Sequence, residues 1–279
     1  MTRHRWLLTS LFATALLMGL GVAQATDTTT LGTGATPPPP GTPTRTPPVL
    51  VISFPDQILM HNMGIASDGA HYYTCNGGSA GSGQLNTYDS NGNFQHSTPC
   101  NLDMRAIFHN AADGYLYAKT YEQALYRVDP VSGATTLIFG SGVFAHSQSS
   151  PALTPDGQTI LEHEDGTIRF IDFQSGQLID TMSGFYFGGY PSNEAVGTDG
   201  ARIFTWDGTQ VHVYDMAGVP IESYNIPSGH FGFSLKFVNG LLFSSDDGGG
   251  GTGTWYGYDV GGGIPAEATS WGAIKGLFR

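Results

Sequence analysis

The stretch "TIRFIDFQSG" (167–176) is a short run of β-branched and aromatic residues that ends in Asp and a Gly-containing turn. The same ending recurs as "YDSNG" (88–92), "VDPVSG" (128–133), "YDMAG" (214–218) and "YDVGG" (258–262). The five aspartates, Asp89, Asp129, Asp172, Asp215 and Asp259, are spaced 40, 43, 43 and 44 residues apart. A second series runs in phase with the first: "SDG" (67–69), "ADG" (112–114), "PDG" (155–157), "TDG" (198–200) and "VNG" (238–240). Two markers repeating together at about 43 residues indicate an internal repeat, and that period suits four-stranded propeller blades.

Each unit reads as strands. Asp-Gly or Asn-Gly makes a tight turn because both central residues tolerate positive φ, which fits a hairpin. After it come "AHYYTC", "YLYAKT", "QTILEH", "ARIFTW" and "LLFSS", then a third run ending at the repeated Asp, then a fourth strand such as "ATTLIFG". No segment carries a helical period. The unit "DG-x-LY…I-x-VYD-x-x-G" resembles the repeats of secreted bacterial β-propellers of the YVTN, NHL and WD40-like type, over about residues 49–263. That resemblance implies architecture and is nearly silent on activity, because such folds host lectins, scaffolds, sensors and enzymes.

Strand bookkeeping favours an all-β propeller of five four-stranded blades. Fourth-type strands follow the first four units, and one more, "VLVISFP" (49–55), precedes them. Pairing of 49–55 beside "WYGYD" (255–259) would close the ring and leave no open edge. If "IPAEATSW" (264–271) is instead the fifth blade's own outer strand, 49–55 is unaccounted for; six blades is the alternative count.

The ends give the expected domain organisation. Arg3 and Arg5, an apolar run from Trp6 and the small residues Ala23-Gln24-Ala25 read as a signal peptide over 1–25. The run is shorter than the roughly 20 apolar residues a membrane anchor needs. Residues 26–48 are a Pro/Thr-rich, semi-stiff linker. Residues 264–279 form a tail whose "WGAIKGLFR" reads either as a docked amphipathic segment or as a sorting signal. We therefore expect a bacterial protein that is secreted or held at the cell surface, the periplasm being the other compartment.

Loss of Arg3 and Arg5 leaves nine basic against 23 acidic residues, a net charge of −14. That balance argues against nucleic acid and anionic membranes as partners. In an oxidising compartment the two cysteines, Cys75 and Cys100, are expected to form a disulfide. They end strands two apart in one blade, about 9–10 Å from each other. A bond, which tolerates Cα separations of about 4.4–6.8 Å, would need the chain to bend inward there.

Inter-blade loops and second-to-third-strand turns share one face, and the sequence puts its ligand-binding candidates there: His61, Asn62, His146, His163, Tyr190, Trp206 and His230. His61, His146 and His230 are the candidate Zn²⁺ ligands, since three imidazoles suit that ion. Ca²⁺ is the other ion considered, on Asp246 and Asp247 or on "DSNGN" (89–93), where Cys100 occupies the place of an EF-hand's final Glu. No cofactor is expected. Glu122, Glu162, Asp207 and Asp246 are the carboxylates a propeller hydrolase, lactonase- or glycosidase-like, would draw on, but no linear catalytic motif accompanies them. Aromatics among glycines in "GSGVFAH" (140–146), "SGFYFGGY" (183–190) and "PSGHFGF" (227–233) suit either inter-blade packing or stacking on sugars. The preferred expectation is a non-enzymatic binding or scaffold module with an extracellular protein, glycan or other polymer as partner.

Overall fold

The computed structural model describes residues 48–57, 61–187, 194–226, 234–246 and 252–261. These form five four-stranded antiparallel sheets arranged as a five-bladed β-propeller, with no α-helix among the described residues. No helix there is long and apolar enough to cross a membrane.

Blade 1 comprises β2 (Asn62–Ser67), β3 (His71–Asn76), β4 (Gln84–Asp89) and β5 (Phe94–Pro99), from the channel outward. Strand β1 (Val49–Pro55) precedes it in sequence. Blade 2 is β6 (Met104–Asn110), β7 (Tyr115–Thr120), β8 (Leu125–Val128) and β9 (Thr135–Phe139). Blade 3 is β10 (Ala152–Leu153), β11 (Thr159–Glu164), β12 (Thr167–Asp172) and β13 (Leu178–Ser183). Blade 4 is β14 (Val196–Thr198), β15 (Arg202–Trp206), β16 (Val211–Asp215) and β17 (Pro220–Tyr224). Blade 5 takes β18 (Lys236–Val238), β19 (Leu241–Ser245) and β20 (Thr254–Asp259) from one end of the chain and β1 from the other. Val49 pairs with Asp259 and Pro55 with Thr254, so the ring closes as the strand bookkeeping predicts.

The repeated aspartates act as side-chain acceptors that organise the turns. Asp89 Oδ1 accepts the amides of Asn91 and Asn93, Asp129 Oδ1 those of Val131 and Ser132, and Asp215 Oδ1 those of Ala217 and Val219. In the other series Asp68 accepts from Ala70 and His71, and Asp199 from Ala201 and Arg202. The following glycines have the positive φ that only glycine adopts without strain, as at Gly92 (80°) and Gly200 (87°). Among the described residues both central residues are left-handed only at Asn239-Gly240 and Asp165-Gly166; at the other Asp turns described the Asp side chain, not a primed turn, sets the geometry.

Blade-to-blade packing supplies the core. Five apolar clusters fill the five junctions, for example Phe204, Trp206, Leu235 and Tyr258 between blades 4 and 5. Phe144 and Phe185, from two of the glycine-rich loops, are buried in the junctions between blades 2 and 3 and between blades 3 and 4. The innermost strands approach closely enough to demand glycine. A Cβ on Gly64 would lie 2.8 Å from the Ile107 amide nitrogen of the next blade.

One expectation is corrected. Cys75 and Cys100 are separate buried thiols, not a disulfide. Cys75 pairs with Leu85 on β4, and Leu85 with Thr98 on β5, so a whole strand stands between the two cysteines. The inward bend a bond would require does not occur: the Cys100 thiol donates to Thr98 O at 3.4 Å, and both residues pack in one apolar cluster. Burial pushes the Cys100 thiol up to about 11 and Cys75 higher still, which makes both poor nucleophiles. Signal, linker and tail lie outside the described residues.

Candidate functional site

Strands in each blade run alternately, so the ring has two faces. Both Asp series lie on one, the Asp-turn face. The opposite, loop face carries the inter-blade connections and the turns 77–83, 121–124, 165–166 and 207–210.

The loop face holds the sequence-predicted residues, and most have internal partners. Glu162 is fully buried on β11. It accepts the amides of Ala145 and His146 (3.0 and 3.3 Å), the Ser149 hydroxyl (2.6 Å) and Arg169 Nη1 (2.5 Å). His146 Nδ1 meets Glu194 Oε2 at 2.5 Å. Burial pushes the Glu194 carboxyl up, against the pull of His146. Lys119, also fully buried, donates to the carbonyls of His146, Ser147 and Ser149 at 2.7, 2.7 and 3.0 Å.

Asp207 caps its own turn through Thr209 and Gln210 and meets His212 Nε2 at 2.7 Å. Partial burial pushes its carboxyl up, but the bonds from His212, Gln210 and Thr209 outweigh that and hold it well below the ordinary range. Asp246 accepts the Thr254 amide and the Tyr256 hydroxyl. Glu122 is exposed and His61 is exposed, while Asn62 is buried and donates to Asp246 O at 3.5 Å. His163 is buried with its ring edge-on to Phe187, and Trp206 belongs to the core. Tyr190, His230 and Asp247 lie outside the described residues, and among those described no three His, Cys, Asp or Glu side chains gather to hold a metal ion.

Two cavities open on the Asp-turn face. One, of about 390 Å³, lies between blades 1 and 2 and is lined by Asp68, Tyr73, His109, Tyr115, Arg127 and Asp129 among others. Arg127 lies over the exposed Tyr115 ring, 4.5 Å from its centroid. Asp68 accepts the Tyr73 hydroxyl at 2.8 Å. Partial burial pushes the Asp68 carboxyl up, but bonds from His71, Tyr73 and Ala70 bring it down to about 2, so it stays ionised at neutral pH.

The second cavity, of about 360 Å³, is the funnel of the central channel. Apolar walls come from Ile65, Ile107, Leu153 and Phe237 on four different blades, and Lys236 also lines it. Sequence reasoning passed over Lys236. Its signal is positional: three residues before the turn Asp or Asn, blades 1, 3 and 4 carry Ile65, Leu153 and Val196, whereas blade 5 carries lysine.

No protein-family model matches the chain, and no curated protein matches it. Solved structures do. The chain is similar to the tail fiber of Staphylococcus aureus phage P68, with a TM-score of 0.52 and 14% identity over 77% of this chain. The match spans about half, 53%, of that fibre chain. At this identity the likeness is one of fold.

Proposed function

We propose that the chain is an exported propeller binding module that takes an extracellular glycan or related polymer in the cleft between blades 1 and 2. The observation that carries this reading is the Tyr115–Arg127 pair beside Asp129. It combines a ring, 48% exposed and able to stack on a sugar, with a guanidinium seated over that ring and the carboxylate of Asp129, which also holds its own turn. Open clefts of this size, partly apolar with a few convergent polar groups, suit ligand binding. The engagement of Glu162, Asp207 and Asp246 in local bonds supports binding over hydrolysis, because each is already committed to stabilising a loop or turn.

The test is a glycan array and an extracellular-polymer pull-down with the purified chain, repeated with Tyr115→Ala and Arg127→Ala. A stacking aromatic contributes about 1 kcal/mol or more, so a hit on the parent should weaken by roughly fivefold or more in Tyr115→Ala. A blank array together with a blank pull-down contradicts the reading, as does a hit that neither variant alters.

A further inference from the structure

The central funnel adjoins that cleft across His109 and has a different chemistry. Its walls are mainly apolar, with Ser67, His109, Thr154 and Asn239 as polar lining, and its carboxylate, Asp199, is neutralised by Arg202 Nε at 2.7 Å and by two turn amides. The Lys236 side chain crosses from blade 5 to Ser150 O, just before blade 3, at 2.6 Å and to Val196 O in blade 4 at 3.4 Å. Its third N–H has no partner among the described residues. Lys236 is buried, and no carboxylate among the described residues forms an ion pair with it. Arg105, Arg169 and Arg202, by contrast, each have one. A buried cation without a counter-ion costs free energy that an entering anion removes.

We propose that the funnel binds a small organic carboxylate, its carboxylate accepting the free Lys236 N–H and its apolar body packed against Ile65, Ile107, Leu153 and Phe237. The cavity fixes the ligand class from both ends. A volume of about 360 Å³ admits a compact aromatic or short aliphatic acid. Inorganic anions would leave the apolar walls unfilled, and neutral analogues would leave the ammonium without a counter-charge. Lys236 offers a point charge with a single open donor, which matches one carboxylate oxygen and not a multiply charged phosphate.

The test is calorimetric titration of the full chain with benzoate, phenylacetate and octanoate, each against its neutral amide. The acids should bind at least tenfold more tightly than their amides, a gap of about 1.4 kcal/mol. Lys236→Met, which keeps chain length and removes the charge, should abolish that preference. Leu153→Trp, which fills the funnel without touching the lysine, should abolish binding of every probe. Acids and amides binding the parent alike would overturn the proposal. So would an unchanged preference in Lys236→Met, full binding in Leu153→Trp, or no binding of any acid up to about 10 mM.

Discussion

Lys119 and Lys236 are both buried in the same ring, yet their surroundings differ in kind. Lys119 satisfies all three N–H groups on loop carbonyls, and Glu162 and Glu194 lie near enough to favour its charge. Lys236 has two carbonyls and no carboxylate; burial disfavours its charge, the neighbouring Cys75 sulfur favours it, and Lys119 disfavours it. Burial lowers both ammonium groups to about 7, but Lys119 has all its donors filled and carboxylates within reach, whereas Lys236 has an open donor and no carboxylate beside it. A matched buried charge is structural; an unmatched one beside a cavity marks a place for a ligand.

Mutations on the two sides should therefore differ in size and in sign. Glu162→Gln should have the largest effect, a loss of about 3–5 kcal/mol in chemical denaturation, because it strands the Arg169 guanidinium and part of the Lys119 network. Lys119→Met should cost less, about 2–3 kcal/mol, by leaving loop carbonyls unsatisfied. Lys236→Met should fall within about 1 kcal/mol of the parent or exceed it, since an apolar replacement removes an uncompensated charge. Equal losses for the two lysine variants would break the contrast.

The propeller was legible because its repeated residues act locally. Each Asp organises amides two to four residues away, and each Gly supplies a backbone conformation, so both signals survive in the linear order. The closing strand was legible by elimination, since 49–55 had no other partner. Use of the charged residues was not legible. Histidines and carboxylates crowd the loop segments, which points to the loop face, but whether Glu162 is free depends on Ser149, Arg169 and two amides that only folding brings together. Lys236 gains its meaning from carbonyls 86 and 40 residues away, one beside blade 3 across the channel and one in the neighbouring blade 4. The disulfide expectation failed for a different reason. The repeat already put the two cysteines on strands two apart, and compartment and cysteine count were weighed above that geometry, which the structure keeps, with Leu85 of β4 between them.

The unmatched charge at Lys236 can be measured without any ligand. Burial lowers its ammonium to about 7, against about 10.4 for a lysine in the unfolded chain. Between those values the unfolded chain holds a proton that the folded chain does not, so stability rises with pH across the window and the full penalty applies below it. Lys119, lowered to about 7 as well, adds a parallel rise. Thermal melts of the parent and Lys236→Met from pH 6.5 to about 10 isolate the Lys236 share. The parent's midpoint should climb relative to the variant's, so that the variant is the more stable protein near pH 6.5 and its advantage shrinks towards pH 10. Parallel curves would mean that Lys236 has a counter-charge after all, and the contrast between the two lysines would fall.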